Sequence, residues 1–235
     1  MSKPQKITLE EATKIMSQKG VLGYSGDLVI KEGGRVELPN GLIVDGNLVL
    51  TWTQIREIPE DIKVNGDFFL SGTKITSFPA IEVKGSLYIY DTPLKTIPEN
   101  FTIGKNCDLS KTKIKDLPKG FKVGGWLRLS ETRITSFPAD LEVGGNIDLS
   151  YSEICTLPND FKVNGSLNLY NSDIQELPEG MTIMGDLDIR QTQITKLPKG
   201  LTIYRDLILD GEVLPELPDD LYVEGSIYFN GYEIN

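Results

Sequence analysis

The sequence predicts a mainly β solenoid of about eleven stacked coils behind an N-terminal capping helix, and three observations predict it. The first is punctuation: Pro39, Pro59, Pro79, Pro98, Pro118, Pro138, Pro158, Pro178, Pro198 and Pro218 step by 20 residues, with one step of 19. Self-similarity at a fixed period overrides any assignment made one element at a time. The second is alternation, as in Leu42-x-Val44 and Leu48-x-Leu50, which has the period of two that turns every other side chain inward. The third is size, because one copy of 20 residues cannot enclose a core and must bury its apolar positions against the next copy.

The N-terminus reads differently from the rest. Ile7-Thr8-Leu9-Glu10-Glu11-Ala12 is a capping box in which Thr8 and Glu11 satisfy each other's backbone donors, and Leu9, Ala12, Ile15 and Met16 share one helical face. A helix is expected over about residues 9–18, stopping near Gly20. It closes the apolar end of the first coil, so residues 1–20 form a cap and residues 21–235 the solenoid, within a single domain. Leu22-x-Tyr24-x-Gly26-x-Leu28-x-Ile30 is a degenerate first coil, with Gly33 and Arg35 where later copies carry threonine and isoleucine.

Residues 121–138 show the full pattern: Phe121, Val123, Gly125, Leu127, Leu129, Thr132, Ile134, then Phe137-Pro138. Two short strands are expected in each copy, with a bend at the glycine column Gly46, Gly66, Gly85, Gly125, Gly145, Gly165, Gly185 and Gly225. Lys105 and Arg205 interrupt that column, and the bend must be made differently there. The 19-residue step falls at Phe78-Pro79-Ala80-Ile81, where a later copy reads Phe137-Pro138-Ala139-Asp140-Leu141; one turn residue has been deleted. At roughly 4.8 Å per coil the stack is a rod on the order of 50 Å long.

The segment Leu48-x-Leu50-x-x-Thr53-x-Ile55-x-x-Ile58-Pro59 resembles the leucine-rich repeat, in particular the short bacterial form L-x-V-x-x-N-x-L-x-x-L-P, and the resemblance covers residues 40–235. It departs at the asparagine position, held here by Thr53, Thr73, Thr92, Thr112, Thr132, Ser152, Ser172 and Thr192, whose hydroxyls can still bond nearby backbone. The resemblance implies a leucine-rich-repeat-like fold, protein recognition through the strand-bearing face and no chemistry, as in bacterial proteins that include phage-encoded and secreted effector types.

Composition points the same way. The chain has no histidine, which removes the commonest general base and metal ligand at neutral pH, and no P-loop. No catalytic, cofactor-binding or metal-binding residue is read from it, and no cofactor is expected. Cys107 falls in an inward leucine column and Cys155 in a loop column about two coils away, too far to bridge, so both are expected as free thiols. No apolar run has the length of a signal peptide core or a membrane span, and a cytoplasmic protein, of the producing cell or of an infected host, is expected.

Two faces differ. The outward column Lys63, Glu82, Thr102, Lys122, Glu142, Lys162 and Thr182 is expected to form an alternating charge ladder through Lys122, Glu142 and Lys162. The outward positions around L-x-L carry aromatic, arginine and aspartate side chains, the types that anchor interfaces. Asp67, Phe69, Tyr88, Tyr90, Asp108, Trp126, Arg128, Asp148, Tyr170, Asp188, Arg190 and Asp210 are the predicted partner-binding residues, with Asp186 and Asp206 in the same columns. Charge is segregated as well: Lys105, Lys111, Lys113, Lys115, Lys119, Lys122, Arg128 and Arg133 crowd the middle, and every charged side chain after Arg205 is acidic. A net charge of −10 disfavours nucleic acid as a ligand. A non-catalytic protein-interaction scaffold is the first reading, and an acidic mimic of nucleic acid that inhibits a DNA- or RNA-binding protein is the second. At the C-terminus Tyr222, Tyr228, Phe229 and Tyr232 either close the last coil or offer an edge to a second copy, so a monomer or an edge-to-edge homodimer is expected.

Overall fold

A computed structural model of the protein describes residues 23–30, 36–159 and 161–234; the helix expected over residues 9–18 lies outside them, as do Gly33 and Arg35. Every described regular element is a strand of two or three residues. The second arm of each copy pairs in parallel with its equivalent, from Leu28–Val29 to Ile227–Phe229, in a sheet of twelve strands whose last member, Tyr232–Glu233, returns antiparallel. Eleven parallel strands, one per coil, make the leucine-rich-repeat-like solenoid that the period predicts. The first arms form three shorter sheets on a neighbouring side. Among the described residues no helix is long and apolar enough to cross a membrane.

The core is one continuous cluster built of stacked columns. Leu48, Phe68, Leu87, Cys107, Leu127 and Ile147 lie in register and are shut off from solvent, as are Leu50, Leu70, Ile89, Leu109 and Leu129 two residues on. Phenylalanines fill the wider corner, where Phe78, Phe101 and Phe121 lie with ring centres 5.3 and 6.3 Å apart along the stack. Each side chain meets its own equivalent above and below, so like shapes pack on like shapes at interior density.

The deleted residue is visible in the register. Phe68 pairs with Leu87 and Val64 bridges Val83, each 19 residues away, whereas Lys122 pairs with Glu142 at 20. In an ordinary coil the turn closes over three residues, Leu141 N–H donating to Pro138 O at 3.2 Å; in the short coil Ile81 N–H reaches Pro79 O at 2.9 Å. The loss is confined to that turn, and the buried columns continue past it.

The threonine column ties each coil to itself. Thr53, Thr73, Thr112 and Thr132 hydroxyls donate to the carbonyl three residues back, Leu50, Leu70, Leu109 and Leu129, at 2.6–2.7 Å. Residues just before it, Asp91, Lys111, Glu131, Tyr151, Asn171 and Gln191, turn the chain with φ of 52–58°. A side chain in that left-handed region is uncommon, and the hydroxyl bond fixes the turn that requires it.

The bend glycines work by close approach and not by unusual backbone. Among the repeat's bend positions only Gly26 has positive φ. A Cβ on Gly66 would lie 2.5 Å from Asn47 Oδ1 and 2.6 Å from the Gly46 backbone, so the preceding coil occupies the space a side chain needs. The last coil ends in Asn230-Gly231, with φ of 52° and 81°, the two-residue turn that matches the twist of a hairpin. It lays Tyr232–Glu233 along the edge of the long sheet, and Ser226 Oγ donates to Glu233 Oε1 at 2.6 Å.

The expected first-arm charge ladder is shorter than the sequence suggests. Lys122 Nζ meets Glu142 Oε1 at 2.6 Å, but strand pairing stops at Glu142–Val143 and resumes at Lys162–Val163. Asn164 Nδ2 donates to Val143 O at 2.8 Å and takes the carbonyl that the backbone would use, and no ion pair joins Glu142 to Lys162 among the described residues.

Candidate functional site

The twelve predicted partner-binding residues stand on one face, in three parallel columns set by strand register. Phe69, Tyr88, Asp108, Arg128, Asp148 and Asp188 lie on the strand centre, paired in the series Phe69–Tyr88–Asp108–Arg128–Asp148–Asn168–Asp188. Asp67 and Trp126 precede the strand, whereas Tyr90, Tyr170, Arg190 and Asp210 follow it. All are half-buried except Arg128, which is exposed, so each leaves part of its side chain to solvent while its stem packs along the sheet.

Their neighbours divide them into two groups. Near the middle, Phe69 stacks on Tyr88 with ring centres 4.7 Å apart, Tyr88 meets Trp126 edge to face at 6.1 Å, and the Arg128 guanidinium sits 5.1 Å above the Trp126 ring. Arg128 also bridges Asp108 at 3.5 Å and Asp148 at 3.4 Å, its register neighbours on either side. Further along, Tyr151 packs edge to face on Tyr170 at 5.3 Å, and Arg190 lies over Tyr170 while bonding both carboxylate oxygens of Asp188. That fork to Asp188 raises the Arg190 pKa above its ordinary value, and a side-chain hydrogen bond with Tyr170 raises that of Tyr151. Each group is an aromatic surface with an arginine laid flat and neutralised by aspartate, held still before any partner arrives.

The column before the strand does something the sequence reading did not assign to it. Asp27 Oδ1 accepts the N–H of Asn47 at 2.8 Å, Asn47 Oδ1 that of Asp67 at 2.7 Å and Asp67 Oδ1 that of Ser86 at 2.7 Å. Asn106, Asn146, Ser166, Asp186 and Asp206 accept from the next coil in the same way. This is an asparagine-type ladder at a different corner from the threonine column. Asp67, Asp186 and Asp206 therefore point along the rod into their neighbours' backbone. The signal was present in the sequence, since the residue after each bend position is Asn, Asp or Ser in every coil but one. The exception is Trp126, which can accept nothing: Asn146 N–H has no acceptor among the described residues, and Gly145 meets no ladder side chain.

Among the described residues no group of three or more Cys, Asp or Glu side chains is placed to hold a metal ion. Of the two thiols, Cys107 is buried in the core and Cys155 is exposed in a loop, neither in a disulfide. Burial, and secondarily the charge of Asp108, raises the Cys107 pKa well above its ordinary value, the opposite of what a nucleophile needs.

No protein-family model matches the chain, and no curated protein matches it. Among solved structures the chain is similar to YopM from Yersinia enterocolitica WA-314, at 16% identity over 97% of this chain and 67% of that one, with a TM-score of 0.33.

Proposed function

We propose that the protein is a non-catalytic interaction scaffold of the short bacterial leucine-rich-repeat kind, which binds a protein partner through the face of its long parallel sheet. The observation that carries this is the run Phe69, Tyr88, Trp126 and Arg128, four side chains each touching the next on the outer face of the long sheet, half-buried except for the exposed Arg128. Large aromatic side chains with an arginine stacked on them supply contact area at small entropic cost, which is why they dominate interface energetics. Partner binding would take place in the cytoplasm of the producing cell or of a host, in keeping with two unbridged thiols.

The test is capture of partner from a lysate of the source cell or its host by immobilised protein. Trp126→Ala and Tyr88→Ala should each reduce capture by at least about tenfold, the loss of one anchor residue, while the melting temperature moves little. Undiminished capture by both variants would remove the strip from consideration. The nucleic-acid-mimic reading finds less support: Asp108, Asp148 and Asp188 are each paired with an arginine, so the columns do not present an unbroken row of negative charge.

A further inference from the structure

A third side of the solenoid, between the threonine turn and the proline, carries charge that neither the core nor the strip explains. Its outer positions repeat once per coil. One column reads Lys113, Arg133, Glu153, Asp173, and a second, just past the proline, reads Glu99, Lys119, Ala139, Asn159, Glu179, Lys199. Most of these side chains are exposed, and Lys113, Lys119, Asp173 and Glu179 have no ion pair among the described residues. Only Arg133 and Glu153 touch, at 3.9 Å with both side chains more than half exposed.

We propose that this side is self-complementary and docks a second copy of the chain side by side and antiparallel. A two-fold axis perpendicular to the rod, placed between the Arg133 coil and the Glu153 coil, sets Lys113 of one copy opposite Asp173 of the other and Arg133 opposite Glu153. The same axis sets Lys119 opposite Glu179 and Glu99 opposite Lys199, so two independent columns are matched by one operation and every contact is made twice. The same axis also sets like charges opposite each other, as at Asp116 and Glu176. The alternatives are worse. An axis through the Arg133 coil puts Arg133 on itself and Glu99 on Glu179, and one through the Glu153 coil puts Glu153 on itself and Lys119 on Lys199. The groove of about 480 Å³ lined by Gln175, Glu176, Glu179, Lys196 and Lys199 then faces Lys95 and Lys115, which have no carboxylate partner among the described residues.

Eight coils at about 4.8 Å and a side five residues wide give roughly 600 Å² per copy, the low end for a specific interface. The dimer is therefore weak and strongly salt-dependent. It uses a side separate from the aromatic strip and does not depend on the partner-binding reading.

Sedimentation velocity on the whole chain at about 100 µM, in about 20 mM and about 500 mM salt, tests it. The expected result is a shift from 26.1 kDa toward twice that mass at low salt, reversed at high salt. Lys113→Asp and Asp173→Lys should each weaken association at least about tenfold, and an equimolar mixture of the two should restore it, because the mixed pair brings opposite charges together at both copies of the contact. Both sites are exposed, and circular dichroism melts confirm that each variant folds. A chain that stays monomeric at low salt, a dimer that neither swap weakens, or a mixture that fails to recover would each overturn the proposal; Trp126→Ala, on the other side, should leave association unchanged.

Discussion

At each corner of the coil one polar atom and one missing atom act together. Asn47 Oδ1 accepts the Asp67 N–H at 2.7 Å and lies where a Cβ on Gly66 would go, so the amide and the glycine require each other. Removing the acceptor leaves a half-buried donor unsatisfied while the glycine stays. Asn47→Ala should therefore lower stability by about 1–2 kcal/mol, read from the urea midpoint, whereas Asn159→Ala on an exposed turn should change it by less than about 0.5 kcal/mol. This corner also shows why sequence reading assigned Asp67, Asp186 and Asp206 to a partner. Their outward position was legible from the period of two, but whether a short polar side chain faces solvent or the next coil's amide depends on the distance between coils, which no single copy contains.

The coils are alike but not equally tied. Between the Gly125 and Gly165 coils the ladder lacks a rung at Trp126, and the first-arm sheet is interrupted between Val143 and Lys162. The two losses fall in adjacent coils, so local opening should concentrate there. By hydrogen exchange the Asn146 amide should exchange at least about tenfold faster than those of Asn47, Asp67 and Trp126, each of which has a side-chain acceptor in the preceding coil. Equal protection across the four would mean that the rung contributes nothing. The elements themselves were legible: prolines, alternating arms and the deletion near Ala80 gave coil number and register. The Asn230-Gly231 hairpin was equally plain in its turn residues and went unread because it stands outside the period. The interruption at Val143 was not legible, since it turns on which of two amide donors reaches one carbonyl.

For the molecule as a whole, the buried columns run unbroken from coil to coil, and Cys107 reports on them. Its thiol is shut away and neutral in the folded chain, with its pKa raised by burial and by Asp108, whereas in the unfolded chain it ionises near pH 8.5. Above that pH the unfolded state releases a proton that the folded state keeps, so stability is lost as pH rises through alkaline values. Urea midpoints should fall between about pH 8 and pH 10 by more in the native sequence than in Cys107→Val, and a thiol reagent should titrate Cys155 alone until the chain unfolds. A Cys107 that reacts as fast as Cys155 would show that the coils part without global unfolding. Partner choice, by contrast, is not written in the repeat at all, because the residues that vary from coil to coil are the ones the period leaves unconstrained.

A row of identical parallel strands has no intrinsic reason to stop, since the last one offers the same unpaired amides and carbonyls as every one before it. The returning strand Tyr232–Glu233 meets that edge with the opposite chain direction and is itself only two residues long. Where Tyr232–Glu233 lies, the edge of Ile227–Phe229 is covered by a strand of opposite polarity, so a further parallel strand has no free amides and carbonyls to pair with at Tyr228 and Phe229.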